Sequence, residues 1–145
     1  MGREKVSSEQ GRSPHRRSNR ARVGVVVTFL PMDTLHTVIS LLLALIFLIS
    51  GLSKASGSNA GLSGTRDVGF PDGLARLVGL FETLAASSLV IGFALNNSDL
   101  ELYGFIAIWF IMAGAIFYHF KANKIRTGFP AMLLIILATI GIATI

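Results

Sequence analysis

Residues 70–91 read FPDGLARLVGLFETLAASSLVI, a stretch that is long and apolar enough to cross a membrane as a helix. It contains two charged residues, Arg76 and Glu82, in its first half. Six positions separate them, so they lie on different faces of the helix and should not form an ion pair within it. A charge near the bilayer centre costs about 2.5–3.5 kcal/mol, and an ionisable residue inside a span is therefore a functional-site hypothesis.

Glu82 has two interpretations. It is either a buried carboxylate, protonated or paired with Arg76 or Lys54, or a group that hydrogen-bonds a ligand and handles protons in a pocket between helices. Both remain open at this point.

The composition of the whole chain favours a membrane protein. Of its 145 residues, 52% are hydrophobic and 14% are charged, whereas a soluble domain carries about 25% charged residues. The chain has no cysteine, which excludes disulfides, thiolate metal sites, Fe–S clusters and cysteine redox chemistry.

Apolar segments predict an all-α fold, an integral membrane four-helix bundle formed by residues 32–145. The four spans are predicted at about residues 35–51, 74–95, 102–120 and 130–145. Asp33 or Thr34 should cap the first span and Asp72 the second. Residues 55–72 are rich in Gly, Ser and Asn, and we expect them to be the one long loop.

Residues 1–31 are predicted to be a disordered basic tail with an apolar lead-in. Residues 1–22 carry seven Lys or Arg and two Glu, which accounts for the whole net charge of +5. No aromatic residue interleaves with the arginines, so we expect no nucleic-acid partner. Met32 precedes the first long apolar run and is an alternative start. The tail and the basic turns lie on opposite membrane sides, so the positive-inside rule leaves the orientation open; a start at Met32 would make the turns cytoplasmic.

Small residues at steps of four, Gly79, Thr83 and Ser87, predict a helix-packing face, and Gly114 predicts a second close-packing site. Because adjacent spans are antiparallel, one membrane side collects the candidate polar pocket. Its residues are Lys54, Arg76, Glu82, Tyr118 and His119.

The other spanning histidine, His36, should lie on the opposite membrane side from His119, which excludes a haem held by both. Glu82 and His119 alone are too few ligands for a closed metal site. We therefore predict no metal site and no catalytic residue.

Four sequence segments, read together, resemble the DoxX-like family of small four-helix membrane proteins. They are FLISGLSK at 47–54, ARLVGLFETL at 75–84, AGAIFYH at 113–119 and FPAMLLIILA at 129–138, and the resemblance covers about residues 34–145. The family takes its name from the small membrane subunit of a thiosulfate–quinone oxidoreductase. The resemblance implies a multi-pass protein of a bacterial cell membrane, with Lys54, Arg76, Glu82 and His119 at the family's recurring polar positions.

Two function classes remain open. The chain is either a small subunit or quinone-associated module of a membrane redox complex, with a membrane or peripheral partner subunit, or a structural and assembly protein that packs against partner helices. In the first class, Glu82 and His119 would hydrogen-bond a quinone head group. In the second, a further copy of the chain is one candidate partner. A small-solute carrier is the weaker third option, because the sequence shows no broken helix at mid-membrane. We do not expect the isolated chain to be an enzyme.

Overall fold

A computed structural model describes residues 31–145, which form five α-helices and a short 3₁₀ turn, with no strand in that range. The helices are α1 (Met32–Ala55), α2 (Asn59–Asp67), α3 (Asp72–Leu95), α4 (Ser98–Lys121) and α5 (Phe129–Ala143), and the 3₁₀ turn (Ile125–Gly128) precedes α5. The predicted all-α fold is confirmed. The predicted disordered tail and its apolar lead-in cover residues 1–31, of which residues 1–30 lie outside the described part of the chain.

Four of these helices are long and apolar enough to span a membrane, as predicted. Helices α1, α3 and α4 have 24 residues each, and α5 with its 3₁₀ turn has 19. At 1.5 Å per residue, 24 residues extend about 36 Å, more than the roughly 30 Å of a hydrocarbon core. Large apolar side chains such as Leu84 and Phe110 remain exposed on the outside of the bundle, where lipid would cover them.

The spanning helices pack in a ring, with α1 against α3, α3 against α4, α4 against α5, and α5 back against α1. Successive spans run antiparallel, and buried side chains such as Phe47, Leu89 and Phe105 fill the centre. We call the end of the bundle that carries α2 the α2 end, and the opposite end, where α1 begins, the His36 end.

Residues 59–67 form a helix, so the prediction of one long loop over residues 55–72 is wrong. Ser58 caps α2, since its side chain accepts a hydrogen bond from the backbone N–H of Gly61 at 3.1 Å. Leu62 on the inner face of α2 is fully buried. Capping and burial together outweigh the weak helix propensity of Gly, Ser and Asn.

Two glycines set the turns around α2, and one ion pair joins it to α3. Gly57 and Gly69 adopt positive φ angles of 72° and 73°, a conformation that glycine adopts without strain. Arg66 of α2 bonds Asp72 at 2.6 Å, and this bond raises the pKa of the Arg66 guanidinium above its ordinary value. Both side chains are exposed, so the pair contributes little stability.

The predicted caps of the first two spans are wrong. Helix α1 begins after Pro31 and α3 after Pro71, and within residues 31–145 neither N-terminus has a side-chain cap. The proline carbonyls instead accept the first helical hydrogen bonds. Asp33 and Thr34 lie inside the first turn of α1. The carboxylate of Asp72 accepts hydrogen bonds from Arg66 instead of capping α3.

Candidate functional site

A cavity of about 450 Å³ lies at the α2 end, between α2, α3 and the second half of α4. Four of the five residues of the predicted polar pocket line it: Lys54, Glu82, Tyr118 and His119. The fifth, Arg76, is exposed and lies against Gly57 in the turn before α2, away from the cavity wall.

Glu82 is paired with Lys54 across the contact between α1 and α3. Lys54 Nζ lies 2.5 Å from Glu82 Oε1 and 3.0 Å from Ser50 Oγ. The sequence offered Lys54 and Arg76 as partners of Glu82, and the structure pairs it with Lys54. Arg76 lies on a different face of α3, as expected.

The second carboxylate oxygen of Glu82, Oε2, is buried and accepts no hydrogen bond from any described residue. Glu82 is only 1% exposed and stands about 15 Å along α3 from Asp72. A buried polar atom that lacks a hydrogen-bond partner is costly, so Oε2 is a candidate acceptor for a ligand donor.

Two glycines allow α1 and α3 to approach each other beside this ion pair. A Cβ on Gly51 would lie 2.7 Å from the backbone oxygen of Gly79, and a Cβ on Gly79 would lie 2.6 Å from Lys54 Cβ. Gly79 and Thr83, both predicted to lie on a packing face, sit at this contact. The hydroxyls of Thr83 and Ser87 each donate to a backbone oxygen one turn earlier in α3, so they are satisfied within their own helix.

Gly114 makes no close contact with another described helix, so the close packing predicted for it stays a prediction. Apart from its own neighbours in α4, no described residue has an atom within 4 Å of the position that its Cβ would occupy. It lines the cavity together with Phe110, one turn earlier in α4 and 67% exposed. The cavity therefore reaches the outer, lipid-facing surface of α4.

Hydrogen bonds favour one tautomer of His119. Thr127 Oγ1 donates to the backbone oxygen of Lys124 at 2.8 Å and lies 3.0 Å from His119 Nδ1. Thr127 has a single hydroxyl hydrogen, so both contacts are satisfied only when His119 Nδ1 carries a hydrogen. The other ring nitrogen of a neutral His119, Nε2, is then an acceptor.

A second polar cluster, which the sequence analysis missed, lies at the His36 end. His36 Nε2 contacts Glu101 Oε2 at 2.8 Å, and its Nδ1 contacts Thr144 Oγ1 at 3.0 Å. Ser40 Oγ donates to the same Glu101 oxygen at 3.1 Å, and Glu101 is 6% exposed. The cluster joins α1, α4 and the residue that follows α5, Thr144. The sequence separations of 65 and 108 residues give no local sign of it.

The position of His36 confirms that it and His119 lie at opposite ends of the bundle. In the part of the chain that the structure describes, no group of three or more His, Asp or Glu side chains is placed to hold a metal ion. The cavity instead offers hydrogen-bonding groups and apolar walls, which suit a small amphipathic ligand.

Comparison with known proteins gives one match. The model of the DoxX-like family matches residues 38–140, a region that includes Lys54, Glu82, His119 and Glu101 and most of every spanning helix. No curated protein and no solved structure matches the chain. The family match covers well over half of the sequence, and four of the helices are long and apolar enough to span a bilayer. The chain therefore belongs to the DoxX-like family and is an integral membrane protein.

Proposed function

We propose that the chain binds a quinone head group in the cavity at the α2 end, as a small subunit or quinone-associated module of a redox complex in a bacterial cell membrane. The observation that carries this proposal concerns Glu82: the residue lines a cavity with largely apolar sides, and its Oε2 is a buried acceptor that no residue between 31 and 145 satisfies.

The size and opening of the cavity suit such a ligand. Ligand cavities commonly measure roughly 300–1,000 Å³, and this one measures about 450 Å³. Val78, Phe110 and Met112 supply apolar wall for a ring. Gly114 and Phe110 leave the outer face of α4 open, which gives an apolar tail a route into the surrounding lipid.

A bound quinone would supply the two-electron chemistry, and the residues of this chain would bind and orient it. Glu82 and His119 supply groups that take up or return protons, since quinone reduction consumes protons together with electrons. Lys54 holds the carboxylate of Glu82 in place through the bond to Oε1. We place the electron carrier in a partner subunit, because the cysteine-free chain cannot bind an Fe–S cluster through thiolates.

The test is to purify the chain in lipid nanodiscs from its native membrane and to quantify the quinone that it retains. Glu82→Gln should reduce the hydroquinone retained in the absence of oxygen about tenfold, the cost of one lost bond from a ligand hydroxyl to a charged acceptor. Glu101→Gln is the matched control, because Glu101 is also a buried, paired carboxylate but lies at the other end of the bundle. A wild-type protein without quinone, or equal loss in both variants, would contradict the proposal.

The open surface at Gly114 favours a structural or assembly role as a second candidate. A small residue on an outer helix face lets a partner helix, from another subunit or a second copy, approach closely. A partner that co-purifies with wild type and with Glu82→Gln but is lost with Gly114→Leu would establish this role. Co-purification that Gly114→Leu leaves unchanged would exclude Gly114 as the contact.

A further inference from the structure

We infer that the cavity selects the reduced, hydroxyl-bearing form of its ligand over the oxidised, carbonyl-bearing form. This inference rests on the proposed function, because it concerns the same cavity, and it adds which oxidation state of the ligand binds more tightly.

The first reason is Glu82 Oε2. A carboxylate oxygen only accepts hydrogen bonds, and Lys54 pairs with the other oxygen of this carboxylate, Oε1. The hydroxyl of a hydroquinone can donate to Oε2. A quinone carbonyl is itself an acceptor, so it would leave this buried oxygen unsatisfied and place two partial negative charges together.

The second reason is His119. Since Thr127 Oγ1 donates to the backbone of Lys124, the hydrogen of a neutral His119 ring is on Nδ1 and Nε2 accepts. His119 lines the same cavity as Glu82. Glu82 and His119, on different walls of the cavity, therefore both favour a ligand that donates a hydrogen bond.

The competing donor is Lys54. Two of its three N–H groups are used by Glu82 Oε1 and Ser50 Oγ. A carbonyl oxygen that accepted the third would lie beside the carboxylate, because Nζ is only 2.5 Å from Oε1. The Tyr118 hydroxyl can donate or accept and so does not discriminate between the two forms.

The experiment measures binding of a short-tail benzoquinone and its hydroquinone to the full chain in nanodiscs, without oxygen. A redox-inert pair, a para-alkylphenol and its methyl ether, separates hydrogen-bond donation from redox chemistry. We expect the hydroquinone and the phenol to bind about tenfold or more tightly than their partners, the discrimination that one bond to a charged acceptor provides.

Variants locate the source of the preference. Glu82→Gln offers the ligand an amide N–H as well as an oxygen, so the preference should fall to about onefold or reverse. The double variant Lys54→Met/Glu82→Gln should show the same loss of preference as Glu82→Gln. It also avoids leaving Lys54 buried without its partner. Glu101→Gln should keep the wild-type preference.

The outcomes distinguish this inference from the proposed function. If binding depends on Glu82 but the two forms bind equally, or the quinone binds more tightly, the inference is overturned and the proposed function stands. Binding of neither form would overturn both. A hydroxyl preference that persists in both Glu82 variants would show that the carboxylate is not its source, which also overturns the inference.

Discussion

The backbones of Gly51 in α1 and Gly79 in α3 lie in reciprocal contact. The carbonyl oxygen of each glycine is 2.7 Å from the position that a Cβ on the other would occupy. Cβ atoms in proteins do not approach an oxygen this closely, and the obstacle on each side is backbone that cannot rotate away. The two helices therefore keep this separation only while both positions lack a side chain.

Adding side chains at this contact should destabilise the bundle. We expect Gly51→Val and Gly79→Val each to lower the free energy of unfolding by about 1–3 kcal/mol, the usual cost of overpacking. Thermal unfolding in detergent would measure the change. Gly73→Val is the matched control, because Gly73 is also in α3 but no described atom lies within 4 Å of its Cβ position. Equal losses at positions 73 and 79 would mean that the close contact at Gly79 does not set the cost.

The His36–Glu101 pair should act as a clamp at its end of the bundle. Removing one member of a buried pair leaves the other without compensation, so we expect His36→Ala to cost about 3 kcal/mol of unfolding free energy. The double variant His36→Ala/Glu101→Ala should cost less than the sum of the single changes. Additive losses would show that the two side chains act independently. Thr37→Ala, which removes an exposed hydroxyl next to His36, should change little.

The described charges favour one orientation of the bundle. All six Lys and Arg of residues 31–145 lie at the α2 end. In the described part of the His36 end, the charged residues other than His36 are all acidic: Asp33, Asp99 and Glu101. For a chain that starts at Met32, the positive-inside rule predicts a cytoplasmic α2 end.

Because the chain has no cysteine, single introduced cysteines can report this orientation. In a chain starting at Met32, a membrane-impermeant thiol reagent should label Ser98→Cys in intact cells and Ser63→Cys only after permeabilisation. The same measurement on the full chain tests whether the seven basic residues of the tail change the outcome. Labelling of Ser63→Cys in intact cells of the shorter chain would contradict the prediction.

The cap at Ser58 should hold α2 in place over the cavity. Ser58→Ala removes the bond to the N–H of Gly61, and loss of such a cap costs about 0.5–2 kcal/mol. We expect faster hydrogen–deuterium exchange in α2 with unchanged exchange in the four spans. Ser63→Ala, which alters an exposed hydroxyl inside the same helix, should leave exchange in α2 nearly as in wild type. Similar exchange rates for both variants would show that the cap does not hold α2.

The spanning helices were predictable from sequence, because apolar length alone identifies them. The helix α2 was not, because its nine residues are rich in Gly and Ser and its stability comes from a cap and from the buried Leu62. Residue composition carries no information about a side chain that becomes buried only after the chain folds back on itself.

The candidate site was predictable in part. Antiparallel topology brought Lys54, Glu82 and His119 to the same end, and the structure lines one cavity with all three. The second cluster was not predicted, because Glu101 and Thr144 look like ordinary polar residues at helix ends. Only the packing of the helices brings their side chains into contact with His36. The packing role of Gly114 stays a prediction, because a small side chain shows where approach is possible and not which helix fills the space, and no other described helix does.

The glycine contact between α1 and α3 also sets the distance between the charged groups of Lys54 and Glu82. A Cβ at position 79 would meet the Cβ of Lys54, so the missing side chain is what lets the lysine reach across to Glu82. Gly79 works as a spacer that holds an ammonium and a carboxylate at bonding distance. We expect a single methyl group there to lengthen the ion pair and to expose the carboxylate of Glu82, which is now buried, without any change to a charged residue.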